Sequence, residues 1–407
     1  QFENGFMNKV FFYAAALLLC SACGSRHDGF TVQGNFPGLQ DGMTVVIRNA
    51  ENEKYDTIAA GVVKNGRFEL QGKVRTPLYC ELQIHNQDIE SLPEKIKLAN
   101  TYLFLDNSRL TVRAVHLDSM QFTSAFLAET SQLRTPVEGG ALQRDFYEYR
   151  TASLPVCLEL RKADDSLAMM SLRESYYTPQ EYNRLFDKWY AQKQSAEAAM
   201  DAAKMEFVRR HPESLLSLYI AEGLLKTTFV RTPEEVEELV GVIGQINDTV
   251  RRPYLLKVAE VARTFCKEAD YKDVELTEPA GDTVKLSKYV QPGRYTLVDF
   301  WASWCGPCRW AIPKVEQLYK RYGRNRLAVV SVSLDQEKAD WEKAVEKEKM
   351  PWPQLWAGSR DQLIAVSYAY HISGIPRLLL ISPDGKVVFS GHSADALRMA
   401  VEKLIGF

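Results

Sequence analysis

The 407-residue sequence predicts a multidomain chain with an N-terminal antiparallel β-sandwich, a helical middle region and a C-terminal α/β domain. Short apolar runs between turn residues indicate the β-sandwich over residues 28–115. Capped helix starts indicate the helical region over residues 116–269. A buried strand that leads into a helix indicates the α/β domain over residues 270–407. The net charge of −2 gives no basic excess, which argues against a nucleic-acid partner.

The β-sandwich is predicted from three apolar runs and the turns beside them. The runs are Thr44–Ile47, Arg67–Leu70 after the turn Asn65-Gly66, and Tyr102–Leu105 before the turn Asp106-Asn107. Such turn pairs favour antiparallel hairpins. The pattern G-x-F-x-G-L-x-D-G at residues 34–42 resembles a domain of unknown function from bacterial lipoproteins. Cys80 falls in a predicted strand, where we expect it to be a small buried side chain.

Two helix starts in the middle region carry the same signal, a threonine followed by proline and, two residues later, by glutamate. They are Thr178-Pro179-Gln180-Glu181 and Thr232-Pro233-Glu234-Glu235. Further helices are predicted at Ser195–Arg210, Ser214–Leu225 and Pro253–Cys266. A disulfide between Cys157 and Cys266 stays open, because the sequence alone cannot bring them together.

The C-terminal domain contains the chemistry-bearing motif Y-T-L-V-D-F-W-A-S-W-C-G-P-C-R, from Tyr295 to Arg309. Its apolar first half predicts a buried strand, and a helix is predicted from Pro307 to Tyr319. This layout puts Cys305 at a helix N-terminus, which favours the reactive thiolate. Half a zinc site is the alternative, but zinc takes four ligands, and the remaining cysteines outside the leader are isolated. The spacing of Cys305 and Cys308 therefore favours a redox pair and no metal or cofactor.

Together with Gly374-Ile375-Pro376 before the apolar strand Leu378–Ile381 and the turn Ser382–Gly385, this motif resembles the TlpA/ResA branch of thioredoxin-like disulfide reductases. The resemblance runs from about Val274 to the last residue and implies a thioredoxin fold. It also implies a cis peptide bond at Pro376, with an ordinary trans proline as the alternative.

The resemblance implies a role for each residue of the motif. Cys305 would attack a substrate disulfide and Cys308 would release the reduced product. Asp299 would accept the proton of Cys308, unless it is simply a hydrogen-bonded residue of the strand. The catalytic residues are thus expected to be Cys305, Cys308, Asp299 and Pro376. The residues expected to contact substrate are Trp304, Gly306, Pro307 and Ile375.

The sequence departs from the family pattern at two positions. Ala311 stands where many relatives have a glutamate, so acidic control of the thiols is left to Asp299. Arg377 follows Pro376 where threonine is common, and it could lie near Cys305 or point to solvent. Residues 339–370 form a longer insertion, and its tryptophans are expected in the core rather than facing substrate; they are Trp341, Trp352 and Trp356.

The first residues predict export. Met7 is taken as the start, and the apolar run Val10–Leu19 is too short to span a bilayer, so residues 7–22 are predicted to be a signal peptide. Cys23 after Ser-Ala resembles a bacterial lipoprotein cleavage site and is the predicted lipidation site. Cleavage after Ala22 without lipidation is the alternative. The expected location is the cell envelope, as a periplasm-facing lipoprotein of the inner or outer membrane.

These features together predict a membrane-anchored thiol-disulfide oxidoreductase that reduces protein disulfides through its C-G-P-C pair. The expected substrates are oxidised thiols of secreted proteins, with apocytochrome c among the candidates. Because the exterior of the cell is oxidising, the pair needs a supply of electrons. The resemblance implies that a membrane thiol protein provides them. Two alternatives stay open: a disulfide oxidase or isomerase, and a binding lipoprotein whose redox domain is regulatory.

Overall fold

The structure of the protein, a computed structural model, describes residues 29–51, 54, 56–85, 98–120, 135–323 and 325–406. The signal peptide predicted at residues 7–22 and the lipidation site predicted at Cys23 lie outside these residues. Over the described ranges, no helix combines the length and the apolar character needed to cross a membrane.

The N-terminal region contains two four-stranded sheets. Its strands are β1 (Phe30–Asn35), β2 (Thr44–Asn49), β3 (Thr57–Val62), β4 (Arg67–Gly72), β5 (Leu78–His85), β6 (Leu98–Leu105), β7 (Arg109–Val112) and β8 (Val137–Glu138). One sheet has the order β4-β1-β7-β8 and the other β3-β2-β5-β6. The prediction of wholly antiparallel strands is wrong at one place, because β1 and β7 pair in parallel. The short β8 also comes from the stretch that the sequence assigned to the helical region, since two residues give no period-2 pattern.

Both sheets contribute to one apolar cluster. Alternate residues of a strand point to the same side, and the cluster accordingly takes Val45 and Ile47 from β2 and Leu103 and Leu105 from β6. Cys80 lies in this cluster, and burial raises the pKa of its thiol to about 12. Its predicted place in the core is confirmed. The turn before β4 is also as predicted, with positive φ at both Asn65 and Gly66.

The middle region contains five α-helices within the described residues. They are α1 (Ala141–Leu172), α2 (Pro179–Arg210), α3 (Leu215–Leu225), α4 (Pro233–Gln245) and α5 (Arg251–Thr264). Thr178 and Thr232 cap α2 and α4 through reciprocal bonds with Glu181 and Glu235, as predicted. Because the cap at Thr178 starts α2, this helix begins well before Ser195, where the sequence predicted a helix to start.

The first two helices form a hairpin, and its base shares an apolar cluster with the last three helices, through Phe146 of α1 and Val208 of α2. Helices α1 and α2 are 32 residues each and form an antiparallel hairpin, joined by a short tip at residues 173–178. Helices α3 to α5 share an apolar cluster that also includes Phe104 of β6, so they pack on the N-terminal region. Neither Cys157 nor Cys266 is part of a disulfide, so the disulfide left open by the sequence is not formed.

The C-terminal domain is a seven-stranded sheet with helices on both faces. Its strands are β9 (Glu275–Thr277), β10 (Thr283–Lys285), β11 (Tyr295–Trp301), β12 (Leu327–Ser333), β13 (Gln354–Trp356), β14 (Arg377–Ile381) and β15 (Val387–Gly391). Its helices are α6 (Gly306–Tyr322), α7 (Lys338–Glu348), α8 (Arg360–Ala369) and α9 (Ala394–Ile405). The strand order is β10-β9-β13-β12-β11-β14-β15, with β11, β12 and β13 parallel to one another.

Strand β11 lies inside this sheet and is buried on both faces, as its apolar sequence predicts. Leu297 and Trp301 point to the face that α6 and α9 cover, while Val298 and Phe300 point to the opposite face. The chain leaves the end of β11 and enters α6 after four residues. This connection places the C-x-x-C pair just beyond the C-terminal end of β11.

Candidate redox site

Cys305 and Cys308 form a disulfide at the start of α6. Cys305 is the N-cap residue, and its Sγ accepts a hydrogen bond from the Cys308 N–H at 3.1 Å. Pro307 occupies the first turn, where proline costs no hydrogen bond. Both cysteines are buried, Cys305 at 4% and Cys308 at 2% exposure. When the pair is reduced, the helix N-terminus and this N–H would stabilise negative charge on Cys305.

Asp299 is a buried carboxylic acid on the face of the sheet that carries α6. It points the same way as Leu297 and Trp301, which pack in the apolar cluster with both cysteines. Burial raises its pKa to about 6, and a hydrogen bond from the Ser331 hydroxyl at 2.9 Å lowers it in part. A group with this pKa is ionised at neutral pH and can accept a proton from a nearby thiol.

The environment of Asp299 includes two residues that the sequence did not single out for this site. Ser331 lies directly opposite Asp299 on the parallel strand β12. The Ser331 hydroxyl accepts a hydrogen bond from Trp352 Nε1 at 2.8 Å. The chain Trp352–Ser331–Asp299 fixes the direction of the serine hydroxyl, because its oxygen is occupied by the indole donor and its proton points to the carboxylate.

The peptide bond between Ile375 and Pro376 is cis, as the resemblance implies. The carbonyl oxygen of Pro376 lies 2.6 Å from His392 Nδ1. A carbonyl can only accept, so the Nδ1 atom carries the proton of this hydrogen bond. The segment before β14 is thereby tied to the residue that precedes the cap of α9.

Arg377 occupies neither of the two positions considered from the sequence. It is buried, and it lies on the face of the sheet with Leu379, opposite α6. Its guanidinium contacts His392 Nε2 at 3.3 Å and donates to Thr228 Oγ1 in the helical region at 3.2 Å. Burial lowers the pKa of Arg377. The residue is therefore a polar link between two regions of the chain rather than a charge beside Cys305.

A second buried carboxylate anchors the loop before the cysteines. Asp335 accepts hydrogen bonds from the Ser303 N–H at 3.0 Å, the Ser303 hydroxyl at 2.6 Å and the Ser333 hydroxyl at 2.6 Å. Trp356 Nε1 donates to its backbone oxygen at 2.7 Å. Asp335 thus positions the connection between β11 and α6. No sequence pattern indicates this role, because Ser303 and Asp335 are 32 residues apart in the chain.

The tryptophans divide into core and surface residues. Trp341 and Trp352 are buried, which confirms their predicted place in the core, and Trp356 is half-buried against the same cluster. Trp301 is buried as well. Trp304 and Trp310 lie on either side of the cysteines in sequence and are mostly exposed. Among the predicted substrate contacts, Gly306 and Pro307 begin α6, and Ile375 is half-buried next to the cis bond.

Comparison with known proteins agrees with this geometry. Residues 293–387 match the thioredoxin-like family, and residues 30–146 match a domain of unknown function, DUF4369. The ResA thiol-disulfide oxidoreductase of Geobacillus kaustophilus is 29% identical over 115 residues, which are 28% of this chain and 63% of the relative. The C-terminal domain belongs to the TlpA/ResA branch of the thioredoxin-like family. The Cys305–Cys308 disulfide thus lies within the thioredoxin-like domain.

Two further relatives show the same similarity. ResA from Bacillus subtilis is 27% identical over 120 residues, 30% of this chain and 64% of the relative. The solved thioredoxin domain of a thiol-disulfide oxidoreductase from Bacteroides vulgatus is 30% identical, with a TM-score of 0.32. It matches over 34% of this chain and 96% of that domain. The chain spans just under two thirds of the length of these two ResA proteins.

Proposed function

We propose that the protein is a thiol-disulfide oxidoreductase that reduces protein disulfides. The observation that carries this proposal is the Cys305–Cys308 disulfide at the N-terminus of α6, with the Cys308 N–H bonded to the sulfur of Cys305. This arrangement lowers the free energy of the attacking thiolate at the N-terminal cysteine. The names of the ResA relatives support the same reaction class.

The reaction takes two exchange steps. The Cys305 thiolate of the reduced enzyme attacks one sulfur of a substrate disulfide, whose S–S bond breaks while a Cys305–substrate bond forms. The departing substrate thiolate takes a proton. Cys308 then loses its proton to the Asp299 carboxylate and attacks the Cys305 sulfur, which releases the second substrate thiol. The substrate gains two electrons and two protons, and the enzyme is left with the Cys305–Cys308 disulfide.

The same cysteines would catalyse oxidation or isomerisation if the disulfide were less stable. The reduction potential of the Cys305–Cys308 pair distinguishes reduction from oxidation or isomerisation. Equilibrating the pair with glutathione and trapping the free thiols measures this potential. A reduction potential at or below about −250 mV, near that of thioredoxin, supports a reductase. A potential at or above about −180 mV, toward disulfide isomerase and DsbA, would assign the protein to oxidation or shuffling instead.

A reductase outside the cytoplasm needs electrons from the membrane. The signal peptide at residues 7–22 and the lipoprotein-like Cys23 support a periplasm-facing protein with a lipid anchor. We therefore propose a membrane thiol protein as the donor and oxidised thiols of secreted proteins, apocytochrome c among them, as substrates. Incorporation of a palmitate analogue into wild type and not into Cys23→Ser tests the anchor; an unlabelled wild type contradicts it.

The N-terminal region, which we interpret as a β-sandwich, favours a second candidate, a binding function. Its surface has a cleft of about 870 Å³ with Lys64, Arg67 and Arg113 in its wall. Arg113 is paired with Glu138 at 2.9 Å. A full-length chain with Cys305→Ser and Cys308→Ser keeps this cleft but has no redox pair. If that variant replaces wild type in cells that lack the protein, binding rather than reduction is the main function.

A further inference from the structure

Two highly exposed tryptophans flank the disulfide, and two further exposed apolar side chains lie at the tip of the helical hairpin. Among the described residues, six large apolar side chains are at least 71% exposed: Val115, Leu172, Tyr176, Trp304, Trp310 and Tyr368. Trp304 and Trp310 flank the cysteines, at 71% and 78% exposure. Leu172 and Tyr176, at 80% and 84%, lie at the tip of the hairpin formed by α1 and α2. Exposed apolar side chains that lie close together mark interaction sites.

The tip of the hairpin is fixed on α6. Glu174, between Leu172 and Tyr176, has its Oε1 atom 3.4 Å from Lys314 Nζ. The same ammonium donates to Asp395 in α9 at 2.7 Å and lies 5.0 Å from the centre of the Tyr182 ring of α2. Lys314 thereby holds the hairpin and two helices of the thioredoxin-like domain together.

Helix geometry brings this tip close to the cysteines. Lys314 follows Trp310 by four residues, so both occupy one face of α6, one turn apart. Side chains on a helix lean toward its N-terminus, which carries the Lys314 ammonium and the tip over the turn of Trp310. Trp304 precedes the N-cap of the same helix. We call Leu172, Tyr176, Trp304 and Trp310 the rim surface.

We propose that the rim surface binds an extended segment of a partly unfolded protein, with apolar side chains on either side of the disulfide to be reduced. This inference rests on the proposed reductase function and names its substrate class. An unfolded segment presents apolar residues and an accessible disulfide together, whereas a folded protein buries them. The helical hairpin is then part of the substrate-binding site.

The charges around the rim surface support an apolar occupant. Arg309 and Lys314 are the cations on α6 nearest to it, and both are already paired. Arg309 Nε lies 2.6 Å from Glu348 Oε1, and Lys314 Nζ lies 2.7 Å from Asp395 Oδ2. Arg173, next to Leu172 at the tip, is the exposed cation at the border of the rim surface. Recognition by the rim surface therefore depends mainly on buried apolar area.

The test compares two disulfides with the full-length chain and a dithiol as electron source. Insulin provides a protein disulfide, and bis(2-hydroxyethyl) disulfide provides a small one without apolar flanks. The double variant Leu172→Ser with Tyr176→Ser should lower kcat/KM for insulin about tenfold, the effect of losing the burial of roughly one apolar side chain. Its kcat/KM for the small disulfide and its reduction potential should stay unchanged.

A matched control replaces an equally exposed pair away from the hairpin, Val115→Ser with Tyr368→Ser, and should leave both rates unchanged. An unaltered insulin rate in the tip variant overturns the inference. So does an equal loss on both disulfides, because the tip would then act through the cysteines. If wild type reduces neither disulfide, the proposed function itself fails and the inference with it, an outcome seen before any variant is compared.

Discussion

At the scale of single residues, we propose that the buried carboxyl of Asp299 sets the pH dependence of the resolving step, the attack of Cys308 on the mixed disulfide. Burial raises its pKa from an ordinary 3.8 to about 6. Below pH 6 the group is mostly protonated and cannot take the proton of Cys308. Above pH 6 it is ionised and can. The rate at which Cys308 releases substrate should therefore rise as the pH passes through about 6.

Replacing Asp299→Asn should slow this release about a hundredfold at pH 7.5 and remove the inflection near pH 6, because the amide accepts no proton. The release of the second substrate thiol from a preformed mixed disulfide, followed by stopped flow, measures the step. Thr296→Val is the matched control. Thr296 lies on the same strand as Asp299, and its buried hydroxyl has no hydrogen-bond partner. A wild-type rate in Asp299→Asn would rule out the proton-accepting role.

Asp299→Asn should slow substrate release at pH 7.5 but make the folded protein more stable at that pH. The folded state raises the pKa of Asp299, so it binds the proton more tightly than the unfolded chain. The associated stability is complete below pH 3.8 and is lost as the pH rises through about 6. Asp299→Asn should accordingly raise the melting temperature of the oxidised protein at pH 7.5 and have little effect at pH 4. Destabilisation at pH 7.5 would show that the carboxylate is held by favourable bonds instead.

The residues of this site differ in how far the sequence could predict them. Cys305, Cys308 and Asp299 lie in one continuous motif, and Pro376 in a second, so the sequence could assign them to a helix start, a strand and a cis segment. Ser331 and Trp352 carry no such signal. Their contacts depend on which residue of β12 lies opposite Asp299, and the register of two parallel strands is fixed by packing across the whole sheet.

At the scale of elements, the loop between β11 and α6 is positioned by Asp335. Three donors converge on this carboxylate: the N–H and hydroxyl of Ser303 and the hydroxyl of Ser333. Asp335→Ala should lower the free energy of unfolding by about 3 kcal/mol, because it leaves buried donors without an acceptor. Thermal unfolding of the oxidised protein measures the loss. Asp282→Ala, on an exposed turn of the same domain, should change nothing. Equal melting of both variants would contradict the anchoring role.

Elements with local signals were predictable, and elements without them were not. The helices α2 and α4 begin at capping boxes that can be seen in the sequence. Helix α1 begins at Gly140 without a side-chain cap and contains Pro155, which normally marks a break. Its packing against α2 compensates for both, and such a tertiary effect cannot be seen in a local pattern.

At the scale of the whole molecule, the helical region contacts the thioredoxin-like domain at two separate places. The hairpin meets α6 and α9 through Lys314 and through the pair Arg398–Asp187. The connection between α3 and α4 meets β14 through Thr228 and Arg377. The sequence could order the regions along the chain, but it could not show that they share contacts, because the partners lie about 150 residues apart for Thr228 and Arg377.

Phe229 is the apolar part of the second contact. It packs against the cluster beneath α8 and against the Phe265 ring, 5.7 Å away between centroids, with a φ of 61°. Phe229→Ala should remove about 2 kcal/mol of this packing and lower the temperature at which the thioredoxin-like domain melts, as measured by calorimetry. Phe229→Gly should lose the same packing but regain about 1 kcal/mol, since glycine accepts a positive φ without strain.

The neighbouring residue provides the control for this experiment. Val230 is more exposed and lies outside the apolar clusters, so Val230→Ala should melt like wild type. A contact that joins two regions also makes them unfold together. Loss of the Phe229 ring should therefore separate the melting of the thioredoxin-like domain from that of the helical region. If Phe229→Ala and Val230→Ala give the same calorimetric trace, the Phe229 ring does not couple the helical region to the thioredoxin-like domain.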